Sequence, residues 1–359
     1  MIPIAKPIIG DREKDLVRKV LDSGNLNCGQ YTTMFEAKLA QVLNLEHTVA
    51  VSSGTAALLI AYMALGLKQG DKVLTTPFTF YATASCLKFL GVTPIFVDVD
   101  PYTFNISPDA MEKKLQTNEG IKAVVIVHLY GLPCDMDNIM TLVRKYNLLL
   151  VEDCAQAMGS EYSSNKVGTF GDMATFSFYP TKHITTGEGG LVATNNLDLA
   201  NKARLLRNHG QSKKYYHTML GLNFRMSDLN AAIGLAQLER FPEFIASRRS
   251  NAEFYKKEIN NCLFHKPIEP AACYHTYHQY TLVSDAPRQA VIEHLEQHAI
   301  GYGIHYPLTL QAQPVFREHA ANCPTAEELA NRVFSIPVHP SLSQADLEAV
   351  ADCLNNFGR

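Results

Sequence analysis

Lys182 stands in "FSFYPTKHITTGEGG", residues 176–190, where an apolar aromatic run ends at Pro180 and gives way to threonines and three glycines. A strand-to-loop exit needs only a turn residue, and Pro180 or Gly187 supplies one. The lysine is surplus to that need. A lysine on such a turn can form a Schiff base with an aldehyde. An acid lies 29 residues earlier: in "LLLVEDCAQAMGS" Asp153 sits at the carboxyl end of an apolar run, where ligands collect in open α/β sheets. Glu152 and Asp153 together are costly there unless at least one has a cationic or hydrogen-bonding partner. A third feature is "VSSGTAALLIAYMALG", a strand end followed by a helix opening at Gly54 and Thr55. The free N–H groups and dipole of such a start attract anions, and Ser177 can add a hydroxyl. Each feature alone has a plainer reading: a solvated lysine, an aspartate that caps the next helix, a Ser/Thr cap. Together they suit pyridoxal phosphate, with Lys182 on the aldehyde, Asp153 keeping the pyridine nitrogen protonated so that the ring accepts electrons, and the helix start on the phosphate.

Those positions require an ordered scaffold. Between residues 50 and 195 β-branched runs at 72–76, 93–100, 122–130, 148–155, 174–180 and 190–195 alternate with segments of helical pattern at 55–66, 79–90, 108–116, 136–146 and 197–207. That alternation predicts an α/β core, a mostly parallel central sheet with helices on both faces. Beyond about residue 240 the texture changes to a long polar helix over 242–259, a strand-like run at 277–283 and a closing helix from about 341. We expect a large domain over 1–245 and a smaller α+β domain over 246–359, with the first 20 or so residues packing on the smaller one. A chain of 359 residues exceeds what one hydrophobic core usually supports.

Composition narrows the partners. Lys+Arg number 32 against Asp+Glu 35, with no basic run to track nucleic acid phosphates. Eight cysteines form no C-x-x-C pair, which argues against a zinc knuckle or a thioredoxin-like centre and fits a reducing cytoplasm, with Cys86 and Cys154 as buried free thiols. The amino-terminal stretch has no signal-peptide pattern, and no apolar run approaches the roughly 20 residues of a membrane span. The expectation is a cytoplasmic protein with no nucleic acid, membrane or metal partner, acting on small molecules or pairing with itself.

The segments "VAVSSGTAAL", "DKVLTTPFTFYATA", "TPIFVDVDPYTFNI", "VEDCAQAMGS", "FGDMATFSFYPTKHITTGEGG", "LRNHG", "GLNFRMSDLNAAIGLAQL" and "SIPVHPSLS" resemble, in order, the signatures of the DegT/DnrJ/StrS sugar aminotransferase family. The resemblance runs from about residue 3 to residue 356. It implies the aspartate aminotransferase fold (pyridoxal-phosphate fold type I), pyridoxal 5'-phosphate as cofactor, and amination of a nucleotide-linked keto sugar with L-glutamate as donor. By the same resemblance Lys182 is the Schiff-base lysine, Asp153 the pyridinium partner and Phe80 a ring-stacking aromatic. Gln156 meets the opposite ring face or the phenolic oxygen, and Gly54, Thr55 and Ser177 hold the phosphate. Asn223 reaches the phosphate from the neighbouring subunit, implying a homodimer with shared sites. Arg225 and His305 face the sugar or its phosphates. Relatives with histidine in place of the lysine are pyridoxamine-dependent dehydratases, and others are linked to regulation. Here lysine is retained at 182 with histidine only at 183, and neither end has room for a helix-turn-helix unit. "TTGEGG" resembles the enzymes that aminate carbon 4 rather than carbon 3.

Overall fold

The computed structural model describes residues 1–319 and 321–358. Its central sheet has seven strands: β1 (His47–Val51), β2 (Lys72–Thr75), β3 (Thr93–Phe96), β4 (Ile121–Val127), β5 (Leu149–Asp153), β6 (Met173–Ser177) and β7 (Gly190–Thr194). They lie in the order β1-β7-β6-β5-β4-β2-β3. The run from β6 to β3 is parallel, and β7 is antiparallel to both β1 and β6. These strands are apolar on both faces because both faces are covered. The two-residue period is visible in the packing. Ala50, Leu191 and Ala193 join a cluster with Phe35, Leu39 and Ala231, while Val49, Val51 and Val192 join Leu58, Ile60 and Leu206 on the other side.

The helices among the described residues are α1 (Asp11–Ser23), α2 (Gln30–Leu43), α3 (Gly54–Ala64), α4 (Ala82–Phe89), α5 (Pro108–Thr117), α6 (Met136–Lys145), α7 (Leu197–Arg207), α8 (Asp228–Glu239), α9 (Phe241–Glu258), α10 (Arg288–Gln297), α11 (Pro324–Arg332) and α12 (Gln344–Asn356). Helices α3 to α7 and α9 fall on the segments anticipated above, with N-cap side chains at Ser53, Ser107, Asp135 and Asn196. Helix α8 gives no amphipathic stripe because it is buried on most sides, with Ala231, Ala232, Leu235 and Ala236 all in the core. Strands β3, β4 and β6 end three or four residues before their apolar runs do. Leu129, Tyr130, Cys154 and Phe178 are buried in loops beyond the sheet, so their hydrophobicity marks burial and not pairing.

A second antiparallel sheet joins β8 (Phe264–His265), β9 (Tyr280–Ser284) and β10 (Val333–Ile336). It shares a core of Tyr255, Tyr280, Leu282, Val291, Phe334 and Leu354 with α9, α10 and α12. Residues 2–6 bond to that part of the chain, through Ile2 N–H to Ala299 O at 2.8 Å, Gly301 N–H to Ile2 O at 2.7 Å, His339 Nε2 to Pro3 O at 3.0 Å and Ser341 Oγ to Lys6 O at 3.4 Å. Helix α1 packs instead toward α8, where Gln237 Nε2 donates to Glu13 Oε1 at 2.7 Å and Leu16 and Val20 enter the core of the large sheet. All eight cysteines are free, Cys86 and Cys154 buried. No described helix is long and apolar enough to cross a membrane.

Candidate active site

The carboxyl ends of β4, β5 and β6, the start of α3 and the segment around His305 enclose a cavity of about 560 Å³. Gly54, Thr55, Phe80, Asp153, Gln156, Ser177, Lys182 and His305 all line it. Residues separated by as much as 251 positions in the chain, Gly54 and His305, thus face one space.

Lys182 rides on an excursion between β6 and β7. Its base is pinned by Phe178 N–H to Gly189 O at 2.9 Å and Thr186 N–H to Phe178 O at 3.0 Å. Thr185 Oγ1 also donates to Phe178 O at 3.0 Å, and Asn230 of α8 donates to the Thr186 carbonyl at 2.6 Å. The threonines of "TTGEGG" therefore hold the loop that presents the lysine. Gly187 closes it with φ +80°, a conformation that disfavours other residues. Burial lowers the Lys182 pKa to about 8, with Asp153 opposing the shift. His183 is buried and does not line this cavity, its ring centroid 5.6 Å from that of His278.

Asp153 ends β5 and is buried. Its Oδ1 accepts from Ala155 N–H at 3.1 Å and its Oδ2 from Thr83 Oγ1 at 2.9 Å. Burial pushes its pKa up, and those two donors and Lys182 pull against the rise. Glu152 is the structural member of the acid pair. It accepts from the N–H groups of Gly168, Phe170 and Gly171 at 2.7, 2.8 and 2.8 Å, and contacts His128 Nε2 at 3.0 Å. Because His128 Nδ1 accepts from Cys134 N–H at 3.0 Å, Nε2 carries the proton and donates to Glu152. Asp153 is left as the acid that faces the cavity.

At the start of α3, Ser53 caps the helix by accepting from Ala56 N–H at 3.0 Å. The Gly54 and Thr55 N–H groups have no intrahelical acceptor, as in any first turn. A Cβ on Gly54 would lie 2.8 Å from Ser177 Cβ, so only glycine lets the helix start and the Ser177 hydroxyl sit side by side. Gln156 is held at both ends: Oε1 accepts from Tyr130 N–H at 2.9 Å and Nε2 donates to Tyr306 OH at 2.9 Å. That leaves its flat face for the cavity. Phe80 is 55% exposed along the cavity, its ring centroid 6.2 Å from that of Tyr306.

Asn223 and Arg225 do not line this cavity. Asn223 is exposed, and Arg225 NH1 donates to Asn208 Oδ1 at 2.5 Å in a separate hollow of about 480 Å³ shared with Arg204 and Arg207. Thr83, His278, Gln279 and Tyr306 were not anticipated as site residues. Tyr306 adjoins His305 in "HYP", the one local signal; the rest reach the site through tertiary packing.

The donor set fits pyridoxal phosphate: an amine of lowered pKa, a buried carboxylate whose hydrogen bonds leave it facing the cavity, and a helix start beside a serine hydroxyl. The amine attacks an aldehyde only when neutral. The rate at which apoprotein captures the cofactor covalently should therefore rise with pH around a midpoint near 8. Asp153→Asn removes the charge that favours the protonated amine and should move this midpoint lower. Stopped-flow absorbance across pH measures both.

Comparison with known proteins agrees with the geometry. The chain is 39% identical over 99% of its length to GDP-perosamine synthase of Escherichia coli O157:H7, covering 98% of that protein. It is 37% identical over 93% of its length to UDP-N-acetyl-3-dehydro-alpha-D-glucosamine 3-aminotransferase of Acidithiobacillus ferrooxidans, covering 90% of it. The crystal structure of aminotransferase TlmJ from Streptoalloteichus hindustanus superposes with a TM-score of 0.94 at 32% identity, covering 99% of this chain and 98% of that one. Residues 7–355 match a single family, and the chain belongs to it: the DegT/DnrJ/EryC1/StrS aminotransferases, enzymes dependent on pyridoxal phosphate.

Proposed function

We propose that this enzyme aminates a nucleotide-linked keto sugar with L-glutamate as amino donor, in the cytoplasm, as a homodimer with shared active sites that serves amino-sugar and surface polysaccharide synthesis such as lipopolysaccharide O-antigen. The observation that carries the reading is the meeting of Lys182 and Asp153 in one cavity of about 560 Å³, large enough for a cofactor and a sugar nucleotide head. Pyridoxal phosphate supplies an aldehyde for a lysine amine and, with its ring nitrogen protonated, a sink for electrons. Lys182 is the residue placed to hold the aldehyde. Its Nζ, whose pKa burial lowers to about 8, is placed to take and return a proton under ordinary conditions. Asp153 holds the ring-nitrogen proton, with Thr83 and Ala155 fixing its carboxylate. Gly54, Thr55 and Ser177 bind the phosphate, while Phe80 and Gln156 bracket the ring. His305 is assigned to the sugar side. Adding L-glutamate to the loaded enzyme without keto sugar should release one 2-oxoglutarate per occupied site; none released would remove glutamate as the donor.

Carbon 4 is the proposed position, on the resemblance of "TTGEGG". The relative that aminates carbon 3 of a UDP sugar, by its name, favours the second reading.

The shared site is supported by the exposure of Asn223 outside its own chain's cavity and by the exposed leucines of the same segment, Leu220 at 89% and Leu222 at 51%. If Asn223 reaches the partner's phosphate, Asn223→Ala should weaken cofactor retention by about 1.5–3 kcal/mol, a hydrogen bond to a charged group. Arg225, beside it, would meet the sugar phosphates from the same side. Mixing inactive Lys182→Ala with inactive Asn223→Asp subunits should restore roughly a quarter of wild-type activity, since about half the dimers are mixed and each has one intact site. No recovery despite proven subunit exchange would place Asn223 outside the shared site.

A further inference from the structure

Next to the Lys182 loop lies a chamber of about 70 Å³ lined by Arg248, His278, Gln279, His305 and His339. It adjoins the main cavity, because Thr181, His278, Gln279 and His305 line both. Arg248 projects from α9 and is 5% exposed. Its NH1 donates to the carbonyls of Tyr277 and His278 at 3.2 and 3.1 Å, and its Nε has no partner. Among the described residues no carboxylate lines the chamber. A guanidinium buried without a counter-ion is costly, and here burial alone lowers its pKa to about 10, which leaves it charged at neutral pH.

The unpaired atoms are concentrated here. Among the described residues nine buried side-chain polar atoms lack a partner, and four of them, Arg248 Nε, His278 Nδ1, Gln279 Oε1 and His339 Nδ1, belong to residues of this chamber. Native interiors satisfy such atoms with protein, water or ligand, and among them Arg248 brings the chamber a charged donor with no acid opposite it. We propose that this chamber, with Arg248 as its anchor, binds a carboxylate of the amino donor. The inference rests on the reading of glutamate as amino donor. Size selects the donor over the acceptor: the space holds about five water volumes, enough for a carboxylate and not for a sugar nucleotide, whereas the adjoining cavity is eight times larger at about 560 Å³. Arg248 touches neither reacting centre and is a binding residue for one half-reaction.

Glutarate carries the two carboxylates of glutamate without the amine, so its binding is free of chemistry. Calorimetric titration of the holoenzyme with glutarate should show binding that weakens by roughly 10- to 100-fold in Arg248→Gln, the loss of one charge-assisted pair. Cofactor attached to Lys182, counted by borohydride reduction and peptide mass, should be unchanged and reports that the variant is folded. Should Arg248→Gln fail to fold, Arg248→Lys keeps the charge and loses the fork, and a clear drop in glutarate affinity is expected there too. Wild-type affinity in a folded, loaded Arg248 variant overturns the proposal. So does a wild type that releases 2-oxoglutarate from glutamate yet does not bind glutarate, a result that leaves the function intact. Glucuronate binding as tightly as glutarate, with the same dependence on Arg248, would assign the chamber to an acidic sugar and also overturn it. Failure of the glutamate-donor reading is separate: wild-type enzyme would release no 2-oxoglutarate.

Discussion

Lys182→Ala is expected to retain no cofactor through borohydride reduction and to lose transamination by at least about a thousandfold, while melting within a few degrees of wild type. The rate effect is what removal of a positioned acid–base group brings, here compounded by loss of covalent attachment. The fold should survive because the excursion is held by Thr185, Thr186, Gly189 and Asn230; the lysine side chain contributes to none of these bonds. Neutral His183 beside it cannot take over, since burial and the nearby Arg248 hold its pKa well below the usual value and it does not line the cavity that Lys182 lines. A variant that turned over at near wild-type rate would remove Lys182 from the centre of the mechanism.

Asp153→Asn should keep cofactor binding and lower kcat by about 100- to 1,000-fold, the range found when one preorganised electrostatic partner is removed. The substitution is conservative in shape and in hydrogen bonding. An asparagine Oδ1 can accept from Ala155 N–H, and its Nδ2 can donate to Thr83, whose hydroxyl reverses toward Thr79, 3.2 Å away. Only the charge is lost, and with it the means of holding a proton on the ring nitrogen. Steady-state kinetics with a matched measurement of bound cofactor decides the matter. An unchanged kcat would return Asp153 to the role of a loop-capping acid.

The residues legible in the sequence are those at the ends of elements. Lys182, Asp153, Gly54 and Ser177 each interrupt a pattern at a strand end or helix start, and the interruption is what a reader of sequence can see. The parallel sheet was legible for the same reason, its strands being continuous apolar runs between helical segments. Residues that act from inside an element were not. Thr83 lies within α4 and reads as an ordinary helix threonine until β5 brings Asp153 against it. Arg248 lies in a helix of polar composition and reads as a solvated charge; the carbonyls of Tyr277 and His278 bury it. His278 and Tyr306 arrive from loops about 100 residues or more beyond the lysine. The extended apolar runs at the strand ends misled in the other direction, since burial in a loop and pairing in a sheet draw on the same residues.

The most direct test of the central claim is a panel of nucleotide-linked 4-keto and 3-keto sugars incubated with the enzyme and L-glutamate carrying an isotopically labelled amino nitrogen, with products read by mass spectrometry. An aminated nucleotide sugar that carries the label, formed by wild type and not by Lys182→Ala, is the expected result. A panel member that returned dehydrated and unlabelled, or a label that never left glutamate with any keto sugar, would contradict it.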